Sequence, residues 1–171
     1  MARKIDLRNF QQYLIKRFSE AQVQRLEEEQ RLCFKVGADY WFTQLVMAGE
    51  VLPPQQITPV PLARPWFLGL IDVRGTLFGI TDFSRYTGGP AIPKHIDNRL
   101  LLIGQKFDMQ VGLLVSKIIG LKHIEDFSEQ PRPEDAPAWV SNIFQDKEGN
   151  TWKELNAEVL LEHGEFMNIA A

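Results

Sequence analysis

The sequence predicts a mainly β protein: a barrel or sandwich of short strands, with a helical extension at the N-terminus and a short helix at the C-terminus. Helical spacing of apolar residues persists over only one long stretch, residues 6–30. From Leu32 onward, short β-type runs alternate with turns about every 8–12 residues, which is typical of barrels and sandwiches and argues against a parallel sheet. With 171 residues the chain is long enough for one domain, or for two small lobes that share a core.

The first element is a helix over residues 6–30, with five apolar residues spaced by three and four along one face. These are Leu7, Phe10, Leu14, Phe18 and Ala21. Asp6 can cap its start, and Ser19 with Gln22 resembles a second capping box, so we expect a break near Ser19. The second half, "QVQRLEEEQRL", is mostly charged. The favoured interpretation is a helix that lies on the domain's own surface, and the alternative is a docking helix for another protein.

The strands follow in chain order. The predicted runs are "RLCFKV", "YWFTQLVM", "WFLGLIDV", "TLFGITDF", a hairpin in "RLLLIGQKFDMQVGLLV", "SKIIGLKHI", and a hairpin around "DKEGN". The loops between them are polar or rich in proline: "EVLPPQQITPVPLARP", "SRYTGGPAIPKHIDN" and "SEQPRPEDAP". The last stretch, "AEVLLEHGEFM", predicts a short amphipathic helix that stops at Gly164.

Composition limits the classes of function. The net charge of −3, with basic residues scattered among acids, gives no attraction to nucleic acid. No apolar stretch approaches the ~20 residues that a membrane span needs, and the start of the chain lacks the apolar core of a secretory signal. We therefore expect a cytoplasmic protein without direct membrane insertion. The single cysteine, Cys33, lies in an apolar run and predicts a buried free thiol.

Catalytic and metal-binding motifs are sparse. His95, His123 and His163 lack the short spacing of zinc ligands, so no metal and no cofactor is expected. The sequence has neither a phosphate-binding loop nor the turn that surrounds a nucleophilic serine. Asp72 and Asp82 leave one alternative open, a small β-barrel that binds a ligand or acts as an enzyme between these two carboxylates.

Arg74 is the residue that needs explaining, because it stands beside Gly75 between two strongly apolar runs. In one interpretation it is a turn residue whose side chain pairs with Asp72 or Asp82. In the other, its planar guanidinium binds the carboxylate or backbone of a partner protein. Both hold if Asp82 fixes Arg74 in place.

The segment "FLGLIDVRGTLFGITDF" resembles the hallmark motif of the CheW-type adaptors of bacterial chemosensory arrays. Gly69, Val73, Arg74, Gly75 and Asp82 match its fixed positions. "YWFTQLVMAGEVL", which contains Glu50, and the later runs "RLLLI" and "VGLLVSKIIGL" resemble other strands of the family. The resemblance covers about residues 31–162. The N-terminal helix, "PAWV" and "WKEL" resemble the PilI-like branch that serves type IV pili and twitching motility.

The resemblance implies two SH3-like five-stranded β-barrels on a shared apolar core, with residues 1–30 as a helical extension and 31–171 as the CheW-like domain. It implies a non-catalytic adaptor that couples the cytoplasmic tip of a chemoreceptor to the regulatory domain of a CheA-type histidine kinase, in a pilus pathway or alternatively in flagellar chemotaxis. The partner-binding or supporting residues would be Glu50, Val73, Arg74 and Asp82. A groove partly lined by residues 111–119 would receive the receptor tip.

Three places depart from the family pattern. Asp72 stands where asparagine is usual, Gly79 and Thr81 replace more typical proline and valine, and Ser116 replaces an aspartate.

Overall fold

The computed structural model describes residues 7–171, and the predicted mainly β class is confirmed. The strands are β1 Gln30–Val36, β2 Asp39–Gln44, β3 Ala48–Leu52, β4 Phe67–Val73, β5 Thr76–Asp82, β6 Arg99–Ile103, β7 Val111–Val115, β8 Lys117–His123, β9 Phe127–Gln130, β10 Val140–Asp146 and β11 Thr151–Leu155. The helices are α1 Leu7–Glu29, α2 Phe83–Tyr86, α3 Ala157–Glu162 and α4 Gly164–Met167. Short 3-10 turns cover Leu45–Met47, Gln105–Phe107 and Ile124–Asp126.

The strands form two sheets. One has six strands in the order β8-β1-β2-β11-β10-β9, and the other has five in the order β3-β6-β7-β5-β4. Neighbouring strands are antiparallel except for one parallel pair in each sheet, β2 with β11 and β5 with β7. The expected pair of five-stranded barrels therefore differs in detail: within residues 7–171 the sheets are hydrogen-bonded as open ladders, and one of them has a sixth strand.

The five-stranded sheet curls so that its two edges approach each other. The proline-rich segment after β3 returns to β4 through a pair of hydrogen bonds of 2.8 Å between the backbones of Thr58 and Leu70. Gly69 permits this approach: its φ is +131°, and an added Cβ would overlap the Thr58 carbonyl oxygen. This glycine of the hallmark motif is thus required by backbone packing at the barrel edge.

The two sheets share one apolar core. Buried residues from both sheets and from α2 and α3 meet in it, including Phe34, Trp41, Phe83, Leu101, Leu113, Leu155 and Leu160. A smaller cluster lies in the five-stranded lobe, around Ile71, Phe78 and Ile80, and another lies in the six-stranded lobe, around Phe42 and Trp152. The predicted free thiol is confirmed, because Cys33 is fully buried in the six-stranded lobe.

The N-terminal helix is a single uninterrupted element, so the expected break near Ser19 is wrong. The Ser19 hydroxyl donates a hydrogen bond to the Lys16 carbonyl oxygen at 2.8 Å, a bond that is compatible with continued helix. The predicted cap, Asp6, and the side chains of Leu7, Phe10 and Leu14 lie outside the described part of the chain.

The C-terminal helix also differs from its prediction. It ends at Glu162, capped by His163, and Gly164 begins a second short helix. Gly164 does not adopt the left-handed backbone of a terminating glycine, so it is not the C-terminal stop that the sequence predicted. At the start of α3, the Asn156 side chain accepts a hydrogen bond from the Val159 amide at 3.2 Å.

Candidate partner-binding site

The candidate site is built on the β4–β5 hairpin. Val73 pairs with Thr76, which leaves Arg74 and Gly75 as a two-residue turn with φ values of 52° and 84°. Positive φ at both positions is the geometry of a type I′ turn, which suits the twist of a hairpin. The Gly75 amide donates a hydrogen bond of 2.8 Å to Asp72 Oδ1. Asp72 therefore stabilises the turn, as the usual asparagine can also do through its side-chain oxygen.

Arg74 projects from this turn and pairs with Glu50 of β3. Its Nη1 donates to Glu50 Oε1 at 3.3 Å, and its Nη2 donates to Glu50 Oε2, so the pair is bidentate. The hydrogen bond and the charge of Glu50 raise the pKa of Arg74 above its ordinary value. The Arg74 side chain is 74% exposed and that of Glu50 is 36% exposed. The two residues therefore meet across opposite edges of the sheet and remain open to solvent.

Asp82 does not hold Arg74, so that part of the sequence interpretation is wrong. Asp82 is buried at the far end of β5 and caps α2. Its Oδ1 accepts a hydrogen bond from the Arg85 amide at 3.1 Å, and its Oδ2 accepts one from the Ile92 amide at 3.0 Å. Both carboxylate oxygens thus bind the chain's own backbone and organise the loop that follows β5.

The four residues expected at the partner site fall into two groups. Glu50 and Arg74 are together and exposed, whereas Val73 is buried in the apolar cluster of the five-stranded lobe, beneath the turn. Asp82 is also buried. Val73 and Asp82 can shape the surface from within, but in this conformation neither offers its side chain to a partner.

The two carboxylates considered for an enzyme, Asp72 and Asp82, lie too far apart to act as a catalytic pair. Asp72 pairs with Leu77 in the hairpin, and Asp82 lies five residues farther along β5, about 17 Å at 3.3–3.4 Å per residue. Paired catalytic carboxylates in glycosidases lie about 5–9.5 Å apart. Because each carboxylate also binds a backbone amide of this chain, the alternative based on these two residues loses its support.

Apolar side chains flank the Arg74–Glu50 pair along the chain. Val51 follows Glu50 in β3, and Leu77 lies opposite Asp72 in the hairpin; both are exposed. An exposed charged fork beside apolar side chains has the composition of a protein-binding surface. Sequence analysis named Glu50 and Arg74 separately and missed their pairing, because they are 24 positions apart and no local pattern links them.

Among the clefts that the described residues form outside this surface, two are relevant here. The larger, of about 680 Å³, has four aromatic side chains in its wall: Trp41, Trp66, Tyr86 and Trp139. Tyr86 Oη lies 3.1 Å from His163 Nδ1, and burial, followed by the charge of Glu165, raises the pKa of Tyr86 to about 12. The smaller, of about 290 Å³, includes Ser116 and Lys117 from the stretch expected to line a receptor groove.

The departures from the family pattern have local explanations. Ser116 Oγ accepts a hydrogen bond from the Gly37 amide at 2.8 Å, a role that an aspartate can also fill. Gly79 faces the ring of Phe67, and an added Cβ would stand 3.0 Å from its Cε2 atom. Thr81 is buried.

Two searches of the described residues bear on other functions. No group of three His, Cys, Asp or Glu side chains in that part of the chain is arranged to hold a metal ion. Among the helices described, none combines the length and the apolar character needed to cross a membrane.

Comparisons with known proteins agree with this architecture. A model of the CheW-like domain matches residues 30–165. The chain is 26% identical to the protein PilI of Pseudomonas aeruginosa, over 88% of this chain and 85% of that protein. It is 29% identical to the chemotaxis protein CheW of Rhizobium meliloti, over 61% of this chain and 67% of that protein.

The fold is also found in a solved structure. The crystal structure of the scaffolding protein TtCheW from Thermoanaerobacter tengcongensis matches with a TM-score of 0.64, at 18% identity, over 75% of this chain and 84% of that one. The sequence motif, the paired sheets with their shared core and the match over residues 30–165 lead to one conclusion: this chain belongs to the CheW-like domain family.

Proposed function

We propose that this protein is a non-catalytic adaptor that couples the cytoplasmic tip of a chemoreceptor to the regulatory domain of a CheA-type histidine kinase, in a pathway that controls type IV pili and twitching motility. In this function it acts in the cytoplasm, at arrays of membrane-bound receptors. The observation that carries the proposal is the exposed Arg74–Glu50 pair, held by a hairpin and an edge strand of a stiff β frame.

The kinase-binding surface in this proposal is the Arg74–Glu50 pair together with Val51 and Leu77. Glu50 holds the Arg74 guanidinium in one orientation, which lowers the entropy lost when a partner binds it. A large part of Arg74 stays exposed, so its remaining donors can reach a partner's carboxylate or backbone carbonyl. Val73 supports the turn from the core.

The receptor-binding surface in this proposal is the cleft that contains Ser116 and Lys117. Lys35 of the six-stranded sheet and residues of the loop before β6, including Ile92 and Asn98, also line it. A rigid frame with two separate surfaces brings receptor and kinase within reach of each other through modest contacts. For a signal to pass through the adaptor, a change in the receptor's state must change the free energy of its contacts. An adaptor that bound both receptor states with equal affinity would shift no equilibrium between them.

The first prediction concerns Arg74. We expect Arg74→Ala to weaken binding of the kinase's regulatory domain by about tenfold or more, because an exposed charge-assisted contact is lost while the fold is kept. Titration calorimetry with the purified full chain measures the binding, and circular dichroism checks the fold. The control is Lys147→Ala, which removes an equally exposed cation from a hairpin tip of the other sheet.

A charge exchange separates direct contact from support of the turn. The double variant Arg74→Glu with Glu50→Arg keeps an ion pair between the hairpin and β3 but reverses its polarity. If Arg74 contacts the kinase, binding stays weak; recovery to the unaltered affinity would mean that the pair only holds the hairpin, and the proposed contact would be wrong. Unfolding of both Arg74→Ala and the double variant would equally count against an interface role.

The similarity to PilI favours the pilus pathway, since it spans 88% of this chain, whereas the similarity to CheW of Rhizobium meliloti spans 61%. Flagellar chemotaxis remains the second candidate because of that CheW relative. Binding measured side by side to the receptor tip and kinase domain of a pilus system and of a flagellar system distinguishes them. Preference for the flagellar pair would overturn the pilus assignment and leave the adaptor function intact.

A further inference from the structure

α1 exposes a row of large apolar side chains to solvent. Four large apolar side chains of the helix are more than half exposed: Ile15, Phe18, Val23 and Leu26. Ile15 and Leu26 are separated by 11 positions, about three turns, so they lie above one another, and Phe18 and Val23 lie to either side of that line. These four residues, here called the α1 stripe, span about 17 Å of a helix that is about 34 Å long.

The contacts of α1 with the rest of the chain come from its other side and its end. Gln24 and Glu28 face the 3-10 turn that contains Val46 and Met47, and Glu27 lies at the edge of the same cleft, between that side and the stripe. Arg31 Nη1 donates a hydrogen bond of 2.6 Å to the Glu28 carbonyl oxygen, and Glu29 Oε2 lies 3.1 Å from His123 Nε2. The helix therefore attaches through polar groups and leaves its apolar side uncovered, the reverse of a helix that lies on its own domain.

The distribution of charge along α1 is unfavourable for an isolated helix. Residues 7–17 contain three basic residues and no acid, for a charge of +3; residues 18–29 contain four acids and one arginine, for a charge of −3. There is no acid in the first turn and no base in the last. This is opposite to the distribution that stabilises a helix dipole, so it costs the lone helix stability. When two such helices run antiparallel, however, the basic half of each helix lies beside the acidic half of the other.

We propose that α1 is a homodimerisation helix: two copies of this chain associate through an antiparallel, two-fold symmetric pairing of their α1 stripes. In the register that matches the apolar positions, Ile15 lies beside the partner's Leu26, and Phe18 lies beside the partner's Val23. The basic half of each helix then faces the acidic half of the other.

The same register places a charged pair on the flank of the stripe. In antiparallel pairs, residues on one flank face the same flank of the partner helix, so Lys16 lies near the partner's Glu27. Both side chains are exposed in the single chain. Ser19 and Gln22 lie in the middle of the stripe, where a polar pair favours one register over its alternatives.

The test uses the full chain, without receptor or kinase. We expect sedimentation equilibrium between about 1 and 500 µM to show reversible association to a dimer of about 39 kDa, twice the 19.7 kDa of one chain. Leu26→Glu should raise the dissociation constant at least about tenfold, because it places a charge in each half of the apolar contact. The matched control, Gln24→Glu, adds the same charge to the side that faces the domain and should change the constant less than about twofold.

A charge exchange tests the antiparallel pairing itself. Lys16→Glu should weaken the dimer about threefold to fivefold, and adding Glu27→Lys should restore it, since the pair is re-formed with opposite polarity. A chain that stays monomeric up to 500 µM would overturn the proposal and assign the α1 stripe to a different protein. A dissociation constant that is unchanged by Leu26→Glu would equally overturn it. So would a double variant, Lys16→Glu with Glu27→Lys, that still dimerises as weakly as Lys16→Glu alone. These outcomes are independent of the adaptor function, which is tested by kinase binding alone.

Discussion

Asp146 organises the β10–β11 turn through its side chain. Its carboxylate accepts hydrogen bonds from Trp152 Nε1, from the Asn150 amide and from Asn150 Nδ2, each at 2.9 Å, and from the Glu148 amide at 3.0 Å. Burial acts to raise the pKa of Asp146, but the hydrogen bonds from Asn150 and Trp152 outweigh it and lower the pKa to about 2. The ionised form is therefore favoured by the fold.

This shift predicts an acid-sensitive contribution to stability. Because the folded pKa of about 2 lies below the ordinary value of 3.8, the contribution is complete above about pH 4 and is lost as the pH falls towards 2. We expect Asp146→Asn to reduce the free energy of unfolding by about 1 kcal/mol at pH 6, allowing for partial exposure, and by less at pH 2.5. Urea unfolding at the two pH values measures it. An equal loss at both values would contradict the assignment.

A buried ion pair between β1 and β11 of the six-stranded sheet lies next to the end of α1. Arg31 Nε lies 3.4 Å from Glu154 Oε1, and both side chains are buried. Glu154 Oε2 accepts hydrogen bonds from Ser141 Oγ at 2.9 Å and Asn142 Nδ2 at 2.8 Å, which compensates its removal from water. Since Arg31 also binds the Glu28 carbonyl oxygen, the pair anchors the end of the helix to the sheet.

At the scale of elements, the close approach of the proline-rich segment to β4 depends on a single glycine. Thr58 binds the backbone of Leu70 only because Gly69 has no side chain and adopts a φ of +131°. That contact draws the proline-rich segment over the lobe, where Ile57 packs against the apolar cluster around Ile80. The contact thus joins the segment that follows β3 to the backbone of β4.

We therefore expect Gly69→Ala to lower the free energy of unfolding by about 2–4 kcal/mol, because the new methyl group collides with backbone and the residue is forced into a strained conformation. Thermal unfolding followed by circular dichroism measures the loss. Gly88→Ala is the matched control: its φ is also positive, at +88°, but an added Cβ there meets nothing within 4 Å. Equal losses in the two variants would mean that backbone conformation alone, and not the Thr58 contact, sets the cost.

At the scale of the whole molecule, the two lobes are joined by one core and should not unfold separately. Leu160 of α3 is completely buried among residues of both sheets. Removing its side chain leaves a cavity between the lobes, which typically costs about 3 kcal/mol. Sharing of a core is also what keeps the Arg74–Glu50 surface and the Ser116 cleft at a constant separation.

We expect Leu160→Ala to lower the free energy of unfolding by about 3 kcal/mol while a single transition is kept. Urea unfolding should give the same midpoint by tryptophan fluorescence and by far-ultraviolet circular dichroism. The fluorescence comes from four tryptophans, among them Trp152 in the six-stranded lobe and Trp41 and Trp139 in the shared core, whereas circular dichroism reports on the backbone of both sheets. Two separate midpoints, in the variant or in the unaltered chain, would show that the lobes are independent.

The sequence by itself determined the mainly β class, most strand positions, the buried Cys33 and the Arg74–Gly75 turn, because alternation of apolar residues and glycine-containing turns are properties of neighbouring residues. The parallel pairs, the sixth strand and the partner of Arg74 were decided only by the tertiary structure. In one of the two sequence interpretations Arg74 paired with Asp72 or Asp82, nearby in sequence, yet it pairs with Glu50, 24 positions away. Such contacts form when a sheet curls and brings its edges together, and the curl depends on how the whole core packs.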